Sequence, residues 1–209
     1  MKYLFLITIF LIFVVKSELL SQFSENQTPT YPNLVKFYDS LAQLKGIEMY
    51  NMGESDYGLP IYLCVLNGKR DSTTTFVNVR QNTSVFVNNG IHPGEPDGIN
   101  ACAMMTLDYI NGRLKIDKDV TFAFVLCYNV GGAMNRGSYS RANQMGPEEY
   151  GFRGNAQNLD LNRDFIKMDS KNAFTFAKIF HALDPDLFID THVSNGADYQ
   201  YTLTLIHSL

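Results

Sequence analysis

Apolar positions along the chain fall into two periods, and their alternation predicts an α/β architecture. Leu34, Phe37, Tyr38 and Leu41 recur at three- and four-residue spacing, which predicts an amphipathic helix over 34–44. Pro32 and Asn33 precede it, and Lys45 with Gly46 suits its end. The run IYLCVL at 61–66 follows the turn Tyr57-Gly58-Leu59-Pro60 and reads as a strand, and 75–79 and 84–88 read as two more. After a polar loop at 88–96, Ile99, Cys102, Ala103, Leu107 and Ile110 give a helix over 97–110 its inward face. The run VTFAFVLC at 120–127 is almost wholly apolar, the mark of a strand near the middle of a sheet. Residues 128–160 have no clear period and are rich in Gly, Asn and Ser, which predicts a long loop of the functional kind. A helix over 169–183 and a short strand at 187–190 follow, the strand ending just before His192. This order predicts a mixed β-sheet flanked by helices.

The N-terminus has a different character. Lys2 is followed by an unbroken apolar run at 3–15, shorter than the roughly 20 residues that span a bilayer. Its layout is that of a secretory signal peptide, here taken as 1–17, with an uncleaved signal anchor as the alternative. A polar linker at 18–30 then leads into one domain over 31–209. The expected location is secreted or periplasmic, with no stable membrane span once the signal is removed. Cys64, Cys102 and Cys127 each lie inside an apolar segment and are odd in number, so they read as buried small hydrophobes. Asn26 and Asn82 head glycosylation sequons. The net charge of −4, without any basic run, argues against nucleic acid as a partner.

The chemistry concentrates at His92 and Glu95, a His and a carboxylate three apart in a Pro-Gly loop. Catalytic zinc commonly takes two His and one Glu. His192 is the best candidate for the third ligand; His181 falls in a helical pattern, and His207 lies in a tail that breaks the apolar pattern before it. The plain alternative is a polar turn that caps the helix beginning at Asp97. His92 and His192 each directly follow a strand, and ligand sites in open α/β sheets gather at the carboxyl ends of strands.

The segment Asn89-Gly90-Ile91-His92-Pro93-Gly94-Glu95, then Arg153-Gly154-Asn155, then Asp160-Leu161-Asn162-Arg163-Asp164-Phe165, resembles the motifs of the zinc carboxypeptidases, the relatives of carboxypeptidase A. The resemblance runs from about 31 to 206. It implies that His92, Glu95 and His192 bind Zn2+, and that Asp160 accepts a hydrogen bond from the free ring nitrogen of His92. It implies that Asn162 and Arg163 grip a terminal carboxylate and that Arg153 stabilises the oxyanion, with Arg141 the runner-up and Arg136 set aside. Asp164 carries no role and reads as surface charge. The implied partner is a peptide or small amide with a free carboxylate, hydrolysed next to that carboxylate. The family's general base is a Glu well beyond the third zinc ligand. Here the residues after His192 offer one carboxylate, Asp198, which falls too close to that ligand to match. The resemblance therefore implies an incomplete domain, with the C-terminal part of the sheet missing and hydrolysis impaired. The alternatives are a non-catalytic zinc- or peptide-binding fragment, a cell-wall peptide amidase, or a relative of the N-acyl amino acid deacylases. The signal-like N-terminus and the 160–165 segment count against the last of these.

Overall fold

A computed structural model of the chain describes residues 26–44, 46–68, 83–142 and 144–194. The expected signal segment, the strand at 75–79, Asn82, Asp198 and His207 lie outside the described residues, as does most of the linker.

The strands β1 (Ile47–Glu54), β2 (Pro60–Leu66), β3 (Thr83–Asn89), β4 (Val120–Val125) and β7 (Leu187–Thr191) form one mixed sheet in the order β1-β2-β4-β3-β7. β4 sits in the middle as its apolar run predicts, antiparallel to β2 and parallel to β3. β7 runs parallel to β3 on the other side. The three parallel strands thus end at one rim, and that rim carries the chemistry. β1 was not anticipated. Its sequence IEMYNMGE has no clean alternation, because among the described residues it is an edge strand, partly exposed, with a register shift between Asn51 and Gly53.

The described helices are α1 (Tyr31–Leu41), α2 (Asp97–Ile110), the short α3 (Val130–Met134), which packs on α1 and on the ribbon described below, and α4 (Lys171–Leu183). The Thr30 side chain accepts a hydrogen bond from the Asn33 N–H, so α1 starts before the first apolar residue of its stripe. Leu34, Phe37, Tyr38 and Leu41 are all buried, as their spacing predicts. On the opposite side, Phe176 and Phe180 of α4 pack against Phe86 of β3 and Phe188 of β7, with ring centroids 5.4–6.5 Å apart within the group. The expected loop at 128–160 holds α3 and a two-stranded ribbon, β5 (Arg136–Gly137) with β6 (Tyr150–Gly151). The three cysteines are buried and free. Burial pushes the thiol pKa of Cys102 up to about 11 and that of Cys127 up to about 12, which makes both poor nucleophiles. Leu187, Phe188 and Ile189 of β7 remain partly exposed, and among the described residues β7 has a neighbour on one side only. No helix of the described residues is long and apolar enough to cross a membrane.

Asp164 corrects the reading of surface charge: it is buried, at 8% exposure. Its carboxylate accepts hydrogen bonds from the N–H groups of Asp169 and Ser170 (2.8 and 3.0 Å) and from the Ser170 hydroxyl (2.5 Å). Ser170 Oγ in turn accepts from the Ala173 N–H and caps α4. Burial opposes the charge, but the Ser170 hydroxyl and the two N–H groups outweigh it and hold the carboxyl below its ordinary value. Asp164→Ala should therefore destabilise the fold by about 1–3 kcal/mol at neutral pH. Because the folded-state pKa is depressed, this stabilisation is present above the unfolded value of about 3.9 and fades as pH falls below it. Urea denaturation of both proteins across pH 3–7, a range chosen to bracket about 3.9, checks this; a gap that persists undiminished in acid would count against it.

Candidate metal centre

The site begins where β3 ends. Gly90 has a φ of +69°, a left-handed turn that few side chains tolerate, and it swings the chain over the rim of the sheet. The Tyr128 N–H donates to Asn89 O (2.7 Å) and the Asn129 N–H donates to Gly90 O (3.0 Å), tying this exit to the end of β4. The Glu95 N–H donates to His92 O at 2.9 Å and closes the Pro-Gly turn, so both side chains face one point. Both are buried, at 3% exposure each.

The second contribution comes from β7. The Thr191 hydroxyl donates to Asn89 Oδ1 at 2.9 Å. A Cβ on Gly98 would lie 2.1 Å from Thr191 Oγ1, so only glycine at the start of α2 lets the end of β7 dock this closely. His192 follows directly. Its Nδ1 lies 3.0 Å from Glu95 Oε2, and its Nε2 lies 3.2 Å from Asp190 Oδ2. The Val193 N–H donates to the same Glu95 oxygen at 3.1 Å. On the other side His92 Nδ1 lies 3.2 Å from Glu95 Oε1. Helix α2 has Pro96 at its N-cap and no side-chain cap hydrogen bond there, so the side chains of His92 and Glu95 turn to each other and to His192 instead.

One donor atom from each of His92, Glu95 and His192 lies within 4.8 Å of the others. Tetrahedral zinc with bonds of about 2.0–2.2 Å separates its ligands by about 3.3–3.6 Å. The 3.0 and 3.2 Å contacts to Glu95 are close to that spacing. Two imidazoles and one carboxylate are also the donor set that zinc favours, so the residues fit the ion.

Charge balances around this point. Burial opposes ionisation of Glu95, yet hydrogen bonds from His192, His92, the Val193 N–H and Arg141 outweigh it and hold the carboxyl far below the ordinary range. Asp190 and Glu95 together push His192 up to about 9, against the effect of burial. Asp160 faces the far nitrogen of His92, with Oδ1 3.1 Å from Nε2. Burial disfavours its charge, but His92, the Asn162 N–H and Arg153 lower its pKa on balance.

The remaining expected residues lie on loops beside this cluster. Arg153 donates from Nε and Nη2 to Asp160 Oδ2 (3.2 and 2.9 Å), while Nη1 points at His92 Nδ1 from 3.4 Å. Asn162 and Arg163 stand on a short 3-10 turn (Leu161–Arg163) that Asp160 caps. Arg163 is exposed, and its Nη1 donates to Asn162 O rather than to the cluster. Arg141 reaches further in than its place as runner-up suggested, donating from Nη1 to Glu95 Oε1 at 2.8 Å. Gly94 makes room for it: a Cβ there would lie 2.8 Å from Arg141 Cδ. The sequence reading missed Asn129, which is fully buried. Its amide donates to Ile91 O (3.2 Å) and Arg153 O (3.0 Å), and its oxygen accepts from the Gly132 N–H, so it joins the His92 and Arg153 loops. An Asn between an apolar strand and a Gly-Gly pair was the available signal.

A sequence model described as zinc carboxypeptidase matches residues 34–184. The chain belongs to the zinc carboxypeptidase family. The family is one of zinc-dependent peptidases, and its matched region includes His92, Glu95, Arg153 and the 160–165 segment but stops short of His192. No curated protein matches the sequence. Among solved structures, a metallo-carboxypeptidase from Burkholderia cenocepacia is similar with a TM-score of 0.59 and 20% identity, over 81% of this chain and 42% of that one. A carboxypeptidase A from Helicoverpa armigera gives 0.54 and 14%, over 85% and 51%. A metallo-carboxypeptidase from Pseudomonas aeruginosa, solved in complex with (2-guanidinoethylmercapto)succinic acid, gives 0.52 and 19%, over 80% and 40%. These likenesses establish the zinc carboxypeptidase fold, and the chain spans about half or less of the length of these three structures.

Proposed function

We propose that this chain binds one zinc ion through His92, Glu95 and His192 and acts on peptides or small amides next to a free terminal carboxylate. The observation that carries the reading is the convergence of two segments 97 residues apart in sequence on the single carboxylate of Glu95. A zinc ion held there would supply Lewis-acid polarisation of a carbonyl and acidification of water. Asp160 holds His92 in the tautomer that leaves Nδ1 free to ligate. Arg153 keeps a guanidinium beside the cluster, suited to stabilising an oxyanion. Asn162 and Arg163 receive the terminal carboxylate, for which the planar fork of Arg is well matched. The 1–17 segment directs export, the linker runs to residue 30, and 31–209 form part of a zinc carboxypeptidase domain.

A second reading, a zinc- or peptide-binding protein of weak catalytic power, is favoured by one observation. Among the described residues, the carboxylates that reach the cluster are Glu95, Asp160 and Asp190, and each already faces an imidazole. Neither of the outer two is left over to take a proton from water.

Zinc analysis of the purified protein, together with binding of matched peptides with free and amidated C-termini, tests the main reading. Arg163→Lys should weaken binding of the free peptide by roughly 10–100-fold, the equivalent of one charged hydrogen-bond pair. It should leave the amidated peptide nearly unaffected. Equal loss for both peptides would remove the carboxylate-gripping role.

A further inference from the structure

We propose that Asp190 is a positioning residue for the metal centre, holding His192 through its far nitrogen as Asp160 holds His92. The proposal rests on the zinc reading above and adds a residue to it. An imidazole can ligate through Nδ1 only when any proton it carries is on Nε2, and the partner of Nε2 decides this. His192 turns Nδ1 to Glu95 Oε2 at 3.0 Å and Nε2 to Asp190 Oδ2 at 3.2 Å. Both nitrogens face a carboxylate; with Nδ1 and Glu95 joined in the ligand cluster, Asp190 is the partner left to hold a proton on Nε2. The His92 ring shows the same division, with Nδ1 toward Glu95 and Nε2 toward Asp160.

The setting of Asp190 supports a directed role. It lies on β7 opposite Asn88 of β3 in the parallel ladder, so its backbone is fixed by the sheet rather than by a loop. Its other oxygen, Oδ1, is buried and makes no hydrogen bond, and neither do the two amide atoms of Asn88. The carboxylate is thus turned to His192 while an adjacent amide goes unused. A group placed only to stabilise the strand would gain more by pairing with that amide.

The test uses the full chain with Asp190→Asn, nearly identical in shape, and Asp190→Glu. Zinc affinity is measured by competition with a chromogenic chelator, and His192 is followed by 15N chemical shifts of its ring nitrogens. Asp190→Asn should weaken zinc binding by about 10–100-fold, the usual effect of losing such a partner. Its thermal midpoint in excess chelator should stay close to that of the parent, and Asp190→Glu should recover part of the affinity. In alkaline solution above about pH 9, where the metal-free ring is neutral, the parent's ring shifts should report the proton on Nε2, and those of Asp190→Asn a mixture of tautomers. Unchanged zinc affinity and unchanged ring shifts in Asp190→Asn would overturn the proposal. So would a loss of affinity that merely tracks a loss of thermal stability with the tautomer intact. If the parent itself binds no zinc, the metal reading fails, while the ring shifts still decide whether Asp190 sets the tautomer.

Discussion

Turnover of a short peptide by the zinc-loaded 209-residue chain should fall about 10²–10⁴-fold below that of an enzyme with a placed carboxylate base, the usual contribution of general base catalysis. Polarisation of the scissile carbonyl and the charge of Arg153 can be in place without such a base, and among the described residues no carboxylate beside the cluster is left over to take the proton from water. Asp160 is engaged by His92, Arg153 and the Asn162 N–H, and Asp190 by His192. Freeing either would release the histidine that it orients. The measurement is steady-state release of C-terminal residues with and without added zinc, beside His92→Ala. Brisk zinc-dependent release that vanishes in the variant would show that another carboxylate serves, and Asp198 would be the first to replace.

His92→Ala should lower zinc affinity by more than the roughly 10–100-fold that an outer partner contributes, because it removes a ligand outright. It also strips Asp160 and Glu95 of a shared partner, leaving Arg153 and Arg141 to balance them. The two arginines keep both carboxylates paired, so the fold should survive while the metal is lost. Chelator competition and thermal melting on the same samples separate the two effects. A variant that holds zinc as tightly as the parent would place the ion elsewhere.

The parts of this architecture that the sequence announces are those with a repeating physical cause. The apolar run of β4 is legible because both of its faces are covered, and the stripe of α1 because one face is. β1 carries neither signature, since an edge strand with an irregular register needs little periodicity. His92, Glu95 and His192 could be picked out because a metal restricts residue type, and their strand-end positions follow from parallel topology. Asn129, Asp190 and the full reach of Arg141 were not legible. Each is a single polar residue whose value depends on which loop folds against which. Asp164 shows the same limit from another side: beside Arg163, its charge looks like solvent-facing decoration, and only the fold of 164–170 reveals a carboxylate collecting backbone N–H groups.

The convergence on Glu95 also bears on the order of events during folding. Its two oxygens are approached by the turn that contains it, by Arg141 from the long loop, and by His192 and Val193 beyond β7. A chain still emerging during synthesis holds His92 and Glu95 early, but it lacks the third donor until β7 has aligned with β3 and its end has seated against Gly98. Two ligands on a mobile turn hold zinc weakly; three on a docked rim hold it well. On the zinc reading proposed above, metal capture is therefore a late event, and a tightly held ion would report that the last described strand has found its place.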